Sequence, residues 1–216
     1  MRIRGKEKVP GLLEAAKPLL HDSGDGPLVI PSGYERLYLE VGCGRGGFLS
    51  TCALRNPEAF FVGLDKYTPI VARAASLAME KGLTNVRILD LDVERAVGIL
   101  PIGAFNAIFL NFSDPWPRRR NAIKRLTHPR LLQIFSDFLA PGARLEMKTD
   151  NASLFAYSIE MLEASGWTLQ SVTKALPDTP APGEEGQFRY IQTEYEQRFR
   201  ALGIPIGHLI ATPPGH

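Results

Sequence analysis

The chain has 216 residues, 44% of them hydrophobic and 22% charged, with a formal net charge of +2. That length suits one α/β domain burying roughly 70% of the surface its unfolded form exposes, and no apolar run approaches the roughly 20 residues a membrane span requires. A charge of +2 does not by itself argue for nucleic-acid binding, so only local clusters of cations carry weight. Cys43 and Cys52 lack CxxC spacing, and His21, His128, His208 and His216 lie apart, which excludes a disulfide framework or a zinc site and leaves both thiols reduced. The start, MRIRGKEKVP, has no apolar stretch behind its charges and does not resemble a secretory signal, so cytoplasmic residence is the default.

Residues 1–35 combine a basic start with scattered prolines and the turn-rich HDSGDGP, and read as an arm with little regular structure ahead of one domain, residues 36–216. From there strand and helix patterns alternate. LYLEV precedes a glycine turn and the helix FLSTCALRN; FFVGL precedes PIVARAASLAMEKG; VRIL precedes VERAVGIL. NAIFLNF is a fourth strand followed by the helix LTHPRLLQIFSDFLAPG, and RLEMKT a fifth followed by NASLFAYSIEMLEASG. WTLQSVTKA reads as a sixth strand, residues 176–187 as a Pro/Gly-rich loop, and FRYIQTEYEQRFRALG as a seventh strand. Alternation of this kind specifies a doubly wound, mostly parallel sheet covered by helices.

The glycine turn EVGCGRGG sits where the first strand meets the first helix, the place at which such sheets bind nucleotides. It fits both GxGxxG, through Gly42, Gly44 and Gly47, and ExGxGxG, through Glu40, Gly42, Gly44 and Gly46. Charge separates the two: Glu40 would repel a pyrophosphate, but suits S-adenosylmethionine, which has no phosphate and carries a cationic amino group and a sulfonium. Asp65, at the end of FFVGL, has the spacing of a ribose-gripping carboxylate, and Asp92 follows the third strand as an acceptor for the adenine amino group. Each is also a plausible turn or helix cap.

Residues 110–125, LNFSDPWPRRRNAIKR, join an apolar strand, a carboxylate and a run of cations. Pro115 and Pro117 end the strand, which leaves Asp114 at its carboxyl end. No acidic residue stands between Pro115 and Ser136, whereas Arg118, Arg119, Arg120, Lys124, Arg125 and Arg130 are cationic, the footprint of a polyanion site unless it is a solvated face. Trp116 is either a base-stacking platform or a packing residue.

On these motifs the chain resembles bacterial tRNA (guanine-N7-)-methyltransferases, class I enzymes that methylate guanosine in the tRNA variable loop, at position 46. LEVGCGRGGF, FVGLDKYTPIV and NVRILDLDVE are similar to that family's cofactor motifs, NFSDPWPRRR to its signature, and MKTDN with TEYEQRF to its carboxyl-terminal pair. The resemblance implies a Rossmann-like α/β fold with a seven-stranded, mostly parallel sheet and helices on both faces. It implies S-adenosylmethionine as methyl donor, S-adenosylhomocysteine as product, no metal, and tRNA as partner without a membrane or an obligatory protein partner, as monomer or homodimer. Cofactor roles fall to Glu40, Gly42, Gly44, Gly46, Asp65, Asp92 and Asp114, with Asp114 also catalytic. Substrate contacts fall to Arg118, Asp150, Thr193, Glu194, Tyr195 and Glu196, and RNA contacts to Arg119, Arg120, Lys124 and Arg125. The chain departs from the family's habit at Arg118, where lysine is common, at Asp65, where glutamate is usual, and at Asn121, Ala122 and Ile123, which replace a more polar stretch. The competing expectations are a methyltransferase of small molecules or of another RNA position, a non-catalytic RNA-binding module, and a dinucleotide oxidoreductase.

Overall fold

A computed structural model describes residues 9–184 and 186–215, so the basic start (Arg2, Arg4, Lys6, Lys8) lies outside the described residues. The chain divides into two compact units, one up to Pro101 and one from Ile102 onward.

The first unit contains helix α1 (Val9–Ala15), strand β1 (Leu20–His21), β2 (Arg36–Val41), α2 (Gly47–Arg55), β3 (Ala59–Asp65), α3 (Thr68–Glu80) and β4 (Val86–Asp90). Its strands run β1-β4-β3-β2, all parallel. β3 is buried along its whole length except Asp65, the pattern of a parallel strand covered on both faces. Asn85 ties the end of α2 to the start of β3 by donating to the carbonyls of Ala53, Asn56 and Ala59, at 3.0, 3.2 and 2.9 Å. Two local expectations change here. Residues 9–25 carry a helix, a short strand and two single 3-10 turns, because Leu20 and His21 find backbone partners on β4 and the His21 ring donates to the Gly26 carbonyl at 2.9 Å. VERAVGIL forms successive turns instead of a helix; Gly98 at φ 84° and Pro101 leave it no room to propagate.

The second unit contains β5 (Phe105–Asn111), α4 (Pro129–Phe138), β6 (Leu139–Thr149), α5 (Ala152–Ala164), β7 (Thr168–Thr173), α6 (Glu194–Ala201) and β8 (Gly207–Thr212). Its order is β5-β6-β8-β7, with β5 parallel to β6, and β8 antiparallel to both β6 and β7. α4 buries Leu131, Leu132, Phe135 and Phe138 on one face and stops at Phe138, four residues short of the glycine expected to end it. Pro141 disfavours a helical Ala140, so residues 139–142 extend into β6.

The expected seventh strand, residues 188–203, is the main correction. Thr193 caps α6 by accepting from the Glu196 N–H at 3.0 Å, acidic Glu194 and Glu196 occupy its first turn, and Arg198 and Arg200 its last, all of which favour a helix through its dipole. The final strand is instead β8, whose Gly207 lies under Phe155 so closely that a Cβ would stand 2.9 Å from the ring. With β1 included, the described residues form eight strands where seven were expected.

Candidate active site

In the first unit, the turn between β2 and α2 is built by glycines at positive φ: Gly42 at 76°, Gly44 at 55° and Gly46 at 77°. They serve different ends. A Cβ at Gly42 or Gly44 would meet open space, so what requires glycine there is the left-handed backbone, and the space beside it is available to a ligand. A Cβ at Gly46 would stand 3.0 Å from the Cα of Ala74, so that position is held by packing on α3. The turn is pinned to β3, with the N–H groups of Gly42 and Cys43 both donating to the Leu64 carbonyl, at 2.8 and 2.9 Å. Glu40 stands just before it, 2% exposed.

Asp65 grips the same turn: one carboxylate oxygen accepts from the Gly44 N–H and the other from the Tyr67 N–H, both at 3.1 Å. Burial raises the Asp65 carboxyl above its usual range, against the pull of those two donors and of Lys66, and Asp90 adds repulsion. Asp90 is paired in register with Asp65 across β3 and β4, which makes it a strand-end carboxylate that sequence reading passed over in favour of Asp92. Asp92 is engaged as a cap, accepting from the Arg95 N–H at 3.0 Å. Burial, with the Glu40 and Asp65 carboxylates nearby, pushes the Cys43 thiol well up, so it stays neutral. Sequence reading also missed Gly63. A Cβ there would lie 2.7 Å from Leu49 and 3.1 Å from the Cys43 sulfur, so only glycine lets α2 and the turn settle on β3. Open backbone beside a carboxylate for a cationic amino group and a second carboxylate for a diol is a donor set that fits S-adenosylmethionine.

In the second unit, β5 ends in a turn with two non-glycine residues at positive φ, Phe112 at 53° and Trp116 at 41°, flanking Asp114. Such conformations cost on the order of 1–3 kcal/mol each and persist only where surroundings enforce them. The Phe112 N–H donates to the Lys148 carbonyl on β6 at 2.8 Å. Arg125 donates from Nε to the Pro115 carbonyl at 3.0 Å and from Nη2 to the Trp116 carbonyl at 3.1 Å. Asp114 itself is exposed and makes no hydrogen bond or ion pair with any described residue. Arg118, Arg119 and Arg120 are exposed at the start of a short 3-10 helix, Arg119–Lys124, and the Lys124 ammonium stands 4.8 Å over the Trp116 ring. Arg125 differs from its neighbours in the run: it is 9% exposed, with its guanidinium 4.2 Å over the Tyr157 ring.

The remaining expected residues separate into accessible and structural positions. Asp150 follows β6, half-buried and without a partner among the described residues, while the N-cap of α5 is Asn151, which accepts from the Leu154 N–H at 2.8 Å. Glu194 and Tyr195 are exposed on α6. Glu196 is fully buried, bonded to the Lys148 ammonium at 2.6 Å and to Arg200 at 2.7 and 3.0 Å. Lys148, 2% exposed, also donates to the Ile191 carbonyl at 2.8 Å, and Arg200 to the Leu176 carbonyl at 2.9 Å. Both oxygens of Glu196 are thus committed inside the protein. Removing one partner of such a pair costs about 3–5 kcal/mol. Lys148 and Arg200 were not singled out in the sequence; the signal was the i, i+4 spacing of Glu196 and Arg200, legible only once the segment is known to be helical.

Solved structures with the same architecture include methyltransferases of 16S rRNA. The 16S rRNA methyltransferase KamB is 17% identical with a TM-score of 0.64, over 86% of this chain and 91% of that one. A mutant 16S rRNA adenine methyltransferase from Catenulisporales acidiphilia, solved with its cosubstrate SAM, is 18% identical with a TM-score of 0.59, over 96% of this chain and 93% of that one. At such identities the likeness is one of fold, and the fold is the Rossmann-like one of class I methyltransferases. A family model described as "Putative methyltransferase" matches residues 34–209. The tRNA (guanine-N(7)-)-methyltransferase of Levilactobacillus brevis is 34% identical over 99% of both chains, and that of Lachnoclostridium phytofermentans 37% identical over 81% of this chain and 79% of its own. The chain therefore belongs to the tRNA (guanine-N(7)-)-methyltransferase family.

Proposed function

We propose that this protein transfers the methyl group of S-adenosylmethionine to N7 of a guanosine in the tRNA variable loop, leaving S-adenosylhomocysteine. The observation that carries the reading is Asp114: an exposed carboxylate, unengaged by any described residue, on a turn with two non-glycine residues at positive φ, directly followed by three exposed arginines. The bound donor supplies an electrophilic methyl, so the acceptor needs a lone pair, alignment and polar stabilisation more than a strong base.

Each residue role follows from that demand. Glu40 receives the donor's amino group, the backbone of Gly42 and Gly44 gives close approach while Gly46 seats the turn on α3, and Asp65 holds the ribose diol. Asp92 or its neighbour Asp90 accepts from the adenine amino group. Asp114 accepts from guanine N1–H and its N2 amino group, offsetting the positive charge that grows on the ring as N7 is methylated. Asp150, Thr193, Glu194 and Tyr195 contact the nucleotide, and Arg118, Arg119, Arg120 and Lys124 attract the phosphates of the RNA. No metal enters this scheme, and no protein partner is invoked. The family match runs through both units, which supports reading residues 36–216 as one methyltransferase domain; a tRNA substrate places its work in the cytoplasm.

The test incubates the purified protein with unmodified tRNA and labelled S-adenosylmethionine, then identifies the methylated nucleoside after digestion. Labelled 7-methylguanosine, lost when the variable-loop guanosine is replaced, is the expected result. A different nucleoside would move the acceptor atom, and no label in RNA would return the small-molecule and binding-module readings.

A further inference from the structure

The geometry points to Arg125 as a positioning residue of methyl transfer and not an RNA contact: its guanidinium locks the one soft joint of the turn that carries Asp114. The inference rests on the reading that this turn handles the acceptor guanine.

Between Asp114 and Pro117 the chain has little freedom. Two prolines fix their own φ, and each also restricts the residue before it, Asp114 and Trp116 respectively. Trp116 nonetheless sits at φ 41°, a region that non-glycine residues rarely occupy, so its torsions need an outside hold. The carbonyls of Pro115 and Trp116 belong to the two peptide planes on either side of Trp116. Arg125 binds both, Nε to the first at 3.0 Å and Nη2 to the second at 3.1 Å, so a single planar fork dictates the relative orientation of those planes.

The fork is itself immobile. Its face lies on Tyr157 of α5 at 4.2 Å, and its backbone N–H closes the 3-10 segment onto the Ala122 carbonyl at 3.0 Å. Two residues on, Thr127 donates to Ser158 at 2.8 Å, while the Ser158 hydroxyl donates to the Leu154 carbonyl, which ties the same segment to α5 again. At 9% exposure, with two donors spent on carbonyls and one face covered, Arg125 has little surface to offer a phosphate. Its cationic neighbours do. The arginine closing the basic run therefore couples the RNA-facing segment to the turn bearing Asp114.

Arg125→Lys separates this role from an RNA contact, because one ammonium keeps the charge but cannot hold both planes. With wild-type protein, unmodified tRNA and S-adenosylmethionine as reference, the variant is expected to lose about 10²-fold in kcat at saturating tRNA. Its tRNA Kd and salt slope should stay as in the wild type, whereas Arg120→Ala should weaken binding and lower the slope by about one. In a Trp167→Phe background Trp116 is the sole tryptophan, and Arg125→Lys should shift its emission and raise its quenching by acrylamide. Weaker binding with a flatter salt slope and an unchanged kcat would overturn the proposal, as would an unmoved Trp116 signal. If Arg125→Lys fails to fold, Tyr157→Leu removes the ring beneath the fork and should lower kcat about tenfold with binding intact; an unchanged kcat would again overturn it. Failure of the wild type to form 7-methylguanosine would sink the functional reading instead, and the Trp116 measurement would still decide what Arg125 holds.

Discussion

Asp114 and Glu196 are both carboxylates to which the family resemblance gives site roles, Asp114 catalytic and Glu196 on the substrate, and their surroundings give them different work. Asp114 stands exposed and unengaged among the described residues; Glu196 is buried with Lys148 and Arg200 on its two oxygens. Asp114→Asn should therefore leave the unfolding temperature near wild type while lowering kcat about 10²-fold or more, since it removes the charge that balances the ring in the transition state. Near-normal turnover would take Asp114 out of the chemistry. Gly63 is a residue whose importance is steric: an added methyl would meet Leu49 at 2.7 Å and the Cys43 sulfur at 3.1 Å. Gly63→Ala should lose about 1–3 kcal/mol in denaturant unfolding and raise the KM for S-adenosylmethionine by displacing the turn. A KM equal to wild type would show that the turn absorbs the methyl.

At the scale of elements, the 3-10 helix Arg119–Lys124 and α6 illustrate what pattern reading finds and what it misses. The cationic run was plain in the sequence because charge needs no fold to be seen. The structure divides it, with Arg118, Arg119, Arg120 and Lys124 exposed and Arg125 turned inward as a brace. Replacing Arg118, Arg120 and Lys124 together by alanine should weaken tRNA binding and reduce the slope of log K against log salt by about three charges' worth, leaving affinity for S-adenosylmethionine unchanged. An unchanged slope would make the run a solvated face. Thr193, Glu194, Tyr195 and Glu196 alternate hydroxyl or ring with carboxylate, a strand-like pattern that α6 does not follow. The cap at Thr193, the acidic first turn and the basic last turn favoured a helix, and those signals outweigh a four-residue alternation.

For the whole molecule, the buried charges show how a second unit with ordinary composition is held together. Glu146 is 6% exposed, paired with Arg144 at 2.7 Å and facing His208 at 3.7 Å. Burial by itself would raise its carboxyl, but His208 and Arg144 together hold it below the ordinary 4.5. A folded-state value below the unfolded one means that Glu146 contributes stability above the unfolded value, and that this contribution is lost as pH falls through the folded one. Glu146→Gln should thus lower stability at neutral pH and flatten the acid limb of the unfolding curve below about pH 4.5; an acid limb parallel to wild type would show that other carboxylates govern it.

By itself the sequence determined the alternation of strand and helix, the glycine turn with Glu40 and Asp65, the Asp114 turn and the basic run beside it. Those properties are local: hydrophobic period, proline geometry and charge are written in consecutive residues. The tertiary structure decided that the last strand is Gly207–Thr212, that Glu196 is an internal ion partner, that Gly63 must lack a side chain and that Arg125 faces inward. Each depends on residues distant in the chain: Lys148 lies 48 positions from Glu196, and the Ala53 carbonyl that anchors Asn85 lies 32 positions from it. Burial and pairing are set by which segments meet, and a reading of local pattern contains no term for that.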